Sequence, residues 1–170
     1  MAYRPVNPLI AALASGRADA YGELYDRLGR SLARVATTML KSSTDAEDAV
    51  QDVFVELVRQ GARLNQVQDL DAYVFAMLRH AVGKRLQRQR SEQRQLRQVI
   101  PAGASASDPD ASDDLAAALL SLPADQREVI ALKIDGNLTF AQISEILAVS
   151  PNTAASRYRY ALEKLRRILE

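Results

Sequence analysis

Apolar residues recur along this chain at spacings of three and four, and no alternating run is long enough to form a strand. The pattern predicts an all-α protein. Asn7-Pro8 starts a short first helix that Gly16 ends. From about Ala18 to Leu40 a second helix carries Leu24, Tyr25, Leu28, Leu32, Val35 and Met39 on one side. A third begins near Thr44, with Ala46, Ala49, Val50, Val53, Phe54 and Leu57 packing inward and Asp45, Asp48, Asp52 and Glu56 forming an outward acidic row. Gly61 stops it, and Ala62 to Leu70 reads as a polar loop rich in Asn and Gln. Asp71 then starts a fourth helix that takes Tyr73, Phe75, Leu78, Val82 and Leu86 into a basic segment, with Phe75 as a core residue. Ile100 to Asp114 is built of small, polar and proline residues that cannot bury apolar surface, so residues 99–113 are expected to be a flexible linker. Beyond it lie helices near Asp114 to Leu120 and Ala124 to Ile134, the latter closed by Asp135-Gly136. Two helical domains, 1–98 and 114–170, follow from this division.

The end of the second domain has the pattern of a helix-turn-helix. Thr139 can cap the helix that follows it, with Gln142 completing a capping box, and Phe140, Ile143 and Leu147 share one face. After the turn Ala148-Val149-Ser150, Ser150 can cap a second helix whose first position is Pro151, where a missing N–H costs nothing. In that helix Ala154, Tyr158, Ala161, Leu165 and Ile168 make a stripe that must be buried. Asn152, Ala155, Ser156 and Arg159 lie opposite, near the amino end that reaches base edges when such a helix enters a major groove. Arg157, Lys164, Arg166 and Arg167 are placed to meet phosphates.

Composition narrows the chemistry. The 170 residues include no cysteine and one histidine, His80, so disulfides, thiolate zinc sites, cysteine nucleophiles and histidine clusters are excluded. With no phosphate-cradling glycine loop either, the chain is not expected to be an enzyme or to need a metal or cofactor. Met1-Ala2-Tyr3-Arg4-Pro5 opens no long apolar run, so neither a signal peptide nor membrane insertion is expected, and the cytoplasm is the expected location. The net charge of +1 conceals a segregation along the chain. Asp45 to Glu56 holds five acids (Asp45, Glu47, Asp48, Asp52, Glu56) and no base. Arg79 to Arg97 holds seven bases (Arg79, Lys84, Arg85, Arg88, Arg90, Arg94, Arg97) against Glu92, and Arg157 to Arg167 holds five against Glu163. One acidic and two basic surfaces suggest a protein partner and two nucleic-acid contacts.

In this order the pieces resemble the compact bacterial sigma factors of the extracytoplasmic-function type over nearly the whole chain. Asp45-Ala46-Glu47-Asp48-Ala49-Val50-Gln51-Asp52-Val53-Phe54-Val55-Glu56-Leu57 is similar to the family's polymerase-binding helix in region two. Leu122-Pro123-Ala124-Asp125-Gln126-Arg127-Glu128-Val129-Ile130, followed by Leu138-Thr139-Phe140 and Thr153-Ala154-Ala155-Ser156-Arg157, is similar to region four. The resemblance implies that Asp45, Glu47, Asp48, Gln51, Asp52 and Glu56 dock on the clamp coiled coil of core RNA polymerase, and that region four sits on its flap. It implies that Asn65, Gln66 and Gln68 form the pocket for an unstacked base of the minus-10 element, with Arg79, Lys84, Arg85 and Arg88 on the adjoining DNA. It places Thr139, Asn152, Thr153, Ala155, Ser156, Arg157 and Arg159 on the minus-35 duplex. Promoter DNA and, by resemblance only, an anti-sigma factor complete the partners. The chain departs from the family's pattern at Val58, where tryptophan is common, at Arg79-His80 for Arg-Asn, at Lys84 for aspartate, and at Ala155 for lysine. The rival readings are a stand-alone helix-turn-helix regulator with an N-terminal dimerisation or interaction domain, and a helical adaptor without a nucleic-acid role.

Overall fold

The computed structural model describes residues 7–99 and 113–170, and every regular element among them is helical. Nearly all of the expected linker lies outside the described residues. The first half contains α1 (Pro8–Ala14), α2 (Ala18–Leu40), α3 (Ser43–Gln60) and α4 (Leu70–Val99). The second contains α5 (Asp113–Ser121), α6 (Ala124–Ile130), α7 (Phe140–Leu147) and α8 (Pro151–Leu169). Local chemistry sets most boundaries. The Asn7 side chain accepts from the Leu9 amide at 3.0 Å to start α1, and Ser42 caps α3 through the Asp45 amide at 3.2 Å. Gly61 ends α3 at φ +49°, a conformation that side chains with a Cβ disfavour.

Leu24, Leu28, Leu32 and Val35 of α2 pack on Ala46, Ala49, Val50, Val53 and Leu57 of α3 and on Val74, Phe75, Leu78 and Val82 of α4. Phe75 is a fully buried core residue, as its spacing predicts. Tyr25 is not in the core: it is exposed, lies over Gly29 one turn on, and meets Phe54 edge-on at 5.3 Å. The stretch expected as a plain polar loop is partly a 3-10 helix, Gly61–Gln66, pinned by fully buried Leu64. Asp69 caps α4 through the Ala72 amide at 3.0 Å, so the helix begins at Leu70, one residue before the expected Asp71 start.

In the second half α6 passes into a π-helical turn, Ala131–Asp135. Gly136 follows, but not as a left-handed cap, since its φ is −78° and Asn137 takes the positive φ of 51°. The glycine is needed because a Cβ there would lie 2.6 Å from the Leu132 carbonyl oxygen. Thr139 and Gln142 form the full capping box of α7, and Ser150 with Pro151 opens α8. Ala154, Ala161 and Leu165 are buried, whereas Ile168, in the last turn of α8, is exposed.

The two halves are packed together. The end of α2 lies against α6 and the π turn, α4 lies against α7, and one continuous apolar core includes Leu40 and Val82 with Leu132, Ile143 and Leu147. A smaller cluster of Ala118, Leu122, Ile130, Ala161 and Leu165 joins α5 and α6 to α8. No helix among the described residues is long and apolar enough to cross a membrane.

Candidate nucleic-acid interface

Four of the five acidic residues of α3 divide between two grooves. Glu47, Asp48 and Gln51 are exposed and line the groove toward α2 with Tyr25, Asp26, Arg30 and Phe54. Asp52 and Glu56 line the groove toward α4 with Met77, His80 and Lys84. There Asp52 is already paired: its carboxylate lies 2.8 Å from the guanidinium of Arg85, whose side chain is mostly buried. Asp45 accepts from the Gln89 amide at 2.9 Å, and Glu56 accepts from Gln60 at 2.7 Å. Among the described residues Glu47 and Asp48 make no ion pair, so their charge stays available to a partner.

Asn65, Gln66 and Gln68 are exposed around the 3-10 turn, and a cleft of about 920 Å³ next to them is lined by Arg63, Gln66, Gln68, Asp69 and Tyr73. Region α7 closes its other side through Glu145 and Ile146. Polar amides, an aromatic ring and nearby arginines are groups that can hold an unstacked base. Lys84 and Arg88 are exposed on α4, and from Arg90 to Arg97 the helix is exposed on all sides. Arg79 points elsewhere: its Nε donates to Glu128 of α6 at 2.7 Å.

On the helix-turn-helix, Asn152 and Thr153 are exposed at the amino end of α8 and Arg159 is exposed at its middle, while Ala155 and Ser156 are half-buried. Arg159 lies over the Tyr160 ring at 5.3 Å. Thr139 is exposed at the start of α7. Arg157 pairs with Asp125 at 3.3 Å, Lys164 donates to the Ser121 carbonyl at 3.4 Å, and Arg166 pairs with Glu170 at 2.7 Å. Each of these cations meets a protein acceptor here rather than standing free. The expected minus-10 and minus-35 residues therefore occupy separate halves of the molecule. Among the described residues no group of acids or histidine could hold a metal ion.

Sequence patterning does not single out Glu128, Asp69 or Asp135 as connecting groups. Glu128 carries the one available signal: it falls one turn before Leu132 on the buried side of α6, an acid at an apolar position.

The sigma-70 region 2 family matches residues 24–92 and the sigma-70 region 4 family matches residues 112–165. The extracytoplasmic-function sigma factor SigK of Mycobacterium ulcerans (strain Agy99) is 28% identical over 175 residues, covering 97% of this chain and 94% of SigK. SigM of Mycobacterium tuberculosis (strain H37Rv) is 28% identical over 163 residues, covering 95% and 83%. Among solved structures, CnrH in complex with the cytosolic domain of CnrY superimposes with a TM-score of 0.71 at 26% identity, over 95% of each chain. The fold also matches the complex of sigma factor RpoE with the anti-sigma factor NepR from Bartonella quintana, with a TM-score of 0.72 at 23% identity over 89% and 98%. With both regions present in order and full-length relatives of one kind, the chain belongs to the sigma-70 family and is an RNA polymerase sigma factor of the extracytoplasmic-function type.

Proposed function

We propose that this protein binds core RNA polymerase through α3, carries it to promoters through two DNA-reading surfaces, and assists opening of the duplex for transcription initiation. The observation that carries the reading is the pairing of an open acidic edge, Glu47-Asp48-Gln51, with two basic surfaces in the order of regions two and four. In this assignment residues 1–98 act as the region-two domain and 114–170 as the region-four domain. Asp45, Asp52 and Glu56 border the polymerase contact, and Glu47, Asp48 and Gln51 form its centre. Asn65, Gln66 and Gln68 hold a base of the minus-10 element beside Lys84 and Arg88. Thr139, Asn152, Thr153 and Arg159 meet the minus-35 duplex, with Ala155, Ser156 and Arg157 behind them.

The protein works by binding and placement rather than by catalysis, in the cytoplasm with the polymerase and the DNA. Each half binds promoter DNA weakly, and mounting both on the clamp and flap of polymerase makes the second contact effectively intramolecular. An anti-sigma factor that covers the acidic helix completes the partner set, an assignment that rests on family membership.

The test is co-migration of the purified chain with bacterial core polymerase on a sizing column. A one-to-one complex that then initiates transcripts at discrete promoters is the expected result. A folded chain that forms no such complex, yet binds palindromic duplexes as a dimer, would replace this reading with a stand-alone regulator.

A further inference from the structure

Helix α1 is seven residues long, too short to persist on its own, so its place is set by what it packs on. Ile10 and Leu13 are buried and share the core with Leu64 of the 3-10 turn, against which α1 lies. Gly16, at φ 77°, then reverses the chain, its amide meeting the Leu13 carbonyl at 2.9 Å. That carbonyl accepts a second hydrogen bond: the half-buried Tyr21 hydroxyl of α2 donates to it at 2.9 Å. The same hydroxyl lies 3.5 Å from the Leu57 carbonyl, in the last turn of α3, just before Gly61 leads into the 3-10 turn. A hydroxyl has one proton to donate, so the shorter contact to Leu13 is the bond and Leu57 is its neighbour. One side chain thus stands where α1 ends and where α3 delivers the chain into the turn.

The turn needs such support. Gly61–Gln66 is a 3-10 segment, with poorer hydrogen-bond geometry than an α-helix, and Leu64 is the one side chain it buries. Asn65, Gln66 and Gln68 are therefore aimed from beneath, by α1 and α3, more than by the turn itself. Asn7, the cap of α1, lines the cleft together with Gln66 and Gln68. Amides that hold an unstacked base offset its lost stacking best when they already point at it, since ordering them on arrival subtracts from the binding free energy.

We propose that α1 is the platform of the minus-10 pocket and Tyr21 its positioning residue: the hydroxyl fixes the end of α1 beneath the turn, and α1, through Leu64, holds Asn65, Gln66 and Gln68 in the orientation that captures the base. The proposal rests on the reading of those three residues as the base pocket. Tyr21 itself touches no DNA and acts only through α1.

The test uses polymerase carrying this sigma factor and forked duplexes with the minus-10 sequence of one of its own promoters, intact or with a single base removed at each position in turn. For the unmutated chain one abasic position is expected to weaken binding far more than the others, and the ratio of intact to abasic affinity there measures base capture. Tyr21→Phe keeps the ring and removes only the hydroxyl. It is expected to cut that ratio roughly fivefold, while binding of core polymerase through Glu47, Asp48 and Gln51 is unchanged. Ile10→Val, which takes one methylene group from the buried face of α1, is expected to cut the ratio roughly twofold. Val35→Ala is the control for mere loss of stability: it opens a cavity in the second half of α2, lowers the urea midpoint, and is expected to leave the ratio intact. A Tyr21→Phe chain that is folded by circular dichroism and keeps the full ratio overturns the positioning role, and so does a Val35→Ala chain that loses as much of it. If the unmutated chain responds equally to every abasic position, the pocket reading itself falls and the role of α1 falls with it. That outcome is distinct from the first, in which the pocket stands without Tyr21.

Discussion

Ala148 shows how a single residue sets the helix-turn-helix. It closes α7 at φ 53°, ψ 44°, the left-handed region, where a Cβ crowds the backbone and glycine is the usual occupant. The turn needs that conformation because it hands α7 over to the Ser150 cap of α8 within three residues. Ala148→Gly is expected to stabilise the protein by about 0.5–1 kcal/mol, the relieved strain exceeding the extra freedom gained by the unfolded chain. Urea unfolding measures it, and a destabilised variant would mean the turn tolerates alanine without strain. Arg159 is the opposite kind of residue, one whose work lies outside the fold. Exposed at the middle of α8 and held over Tyr160, it has no ion pair among the described residues to lose. Arg159→Ala is therefore expected to leave stability within about 0.5 kcal/mol while weakening use of cognate promoters by about 1–3 kcal/mol. Transcription from a panel of promoters decides it: unchanged preference removes Arg159 from the reading set.

At the scale of elements, α3 separates what a helical pattern reveals from what it hides. Its acidic residues share spacing in the sequence, yet Asp52 is tied to Arg85 and Asp45 to Gln89, while Glu47 and Asp48 face the groove of Tyr25 and Phe54. Glu47→Arg with Asp48→Arg is expected to abolish the complex with core polymerase at nearly unchanged stability. Asp52→Arg carries in addition a loss on the order of 0.5–1 kcal/mol, because it faces Arg85 with a like charge. Complex formation by the folded Glu47–Asp48 variant would move the docking surface off α3. Helix limits were legible because caps are local: Asn7, Gly61, Thr139-Gln142 and Ser150-Pro151 act within four residues of themselves. Tyr25 was misplaced because a helical wheel assigns a side chain to a face without seeing that Gly29 leaves a shelf for its ring. Asp135-Gly136 marks the helix end in the sequence, but the reason for the glycine is hidden there, because the π turn that brings Leu132 onto it has no local signature. Glu128 and Asp69 escaped notice as connectors because their partners lie 49 and 73 residues away, a separation that no periodicity encodes.

The whole molecule is nearly neutral, so attraction to DNA has to come from where the charges sit rather than from their sum. Two arginines one turn apart on α4 make that distinction measurable. Arg85 is only 18% exposed and bound to Asp52, whereas Arg88 is exposed and has no ion pair among the described residues. A cation already neutralised by a protein carboxylate releases few counterions when DNA arrives, while a free one that replaces a condensed ion at a phosphate releases about 0.9 per contact. For polymerase carrying this sigma factor, Arg88→Ala is thus expected to reduce the slope of log affinity against log salt by about 1, and to weaken unrelated promoters equally. Arg85→Ala is expected to leave the slope close to that of the unmutated protein and to appear instead as a small loss of fold stability. Promoter affinities across a salt series, measured for both variants, give the answer. If Arg85 lowers the slope and Arg88 does not, polymerase binding must break the Asp52–Arg85 pair, and the DNA would then run along the α3 side of α4 rather than along its exposed outer face.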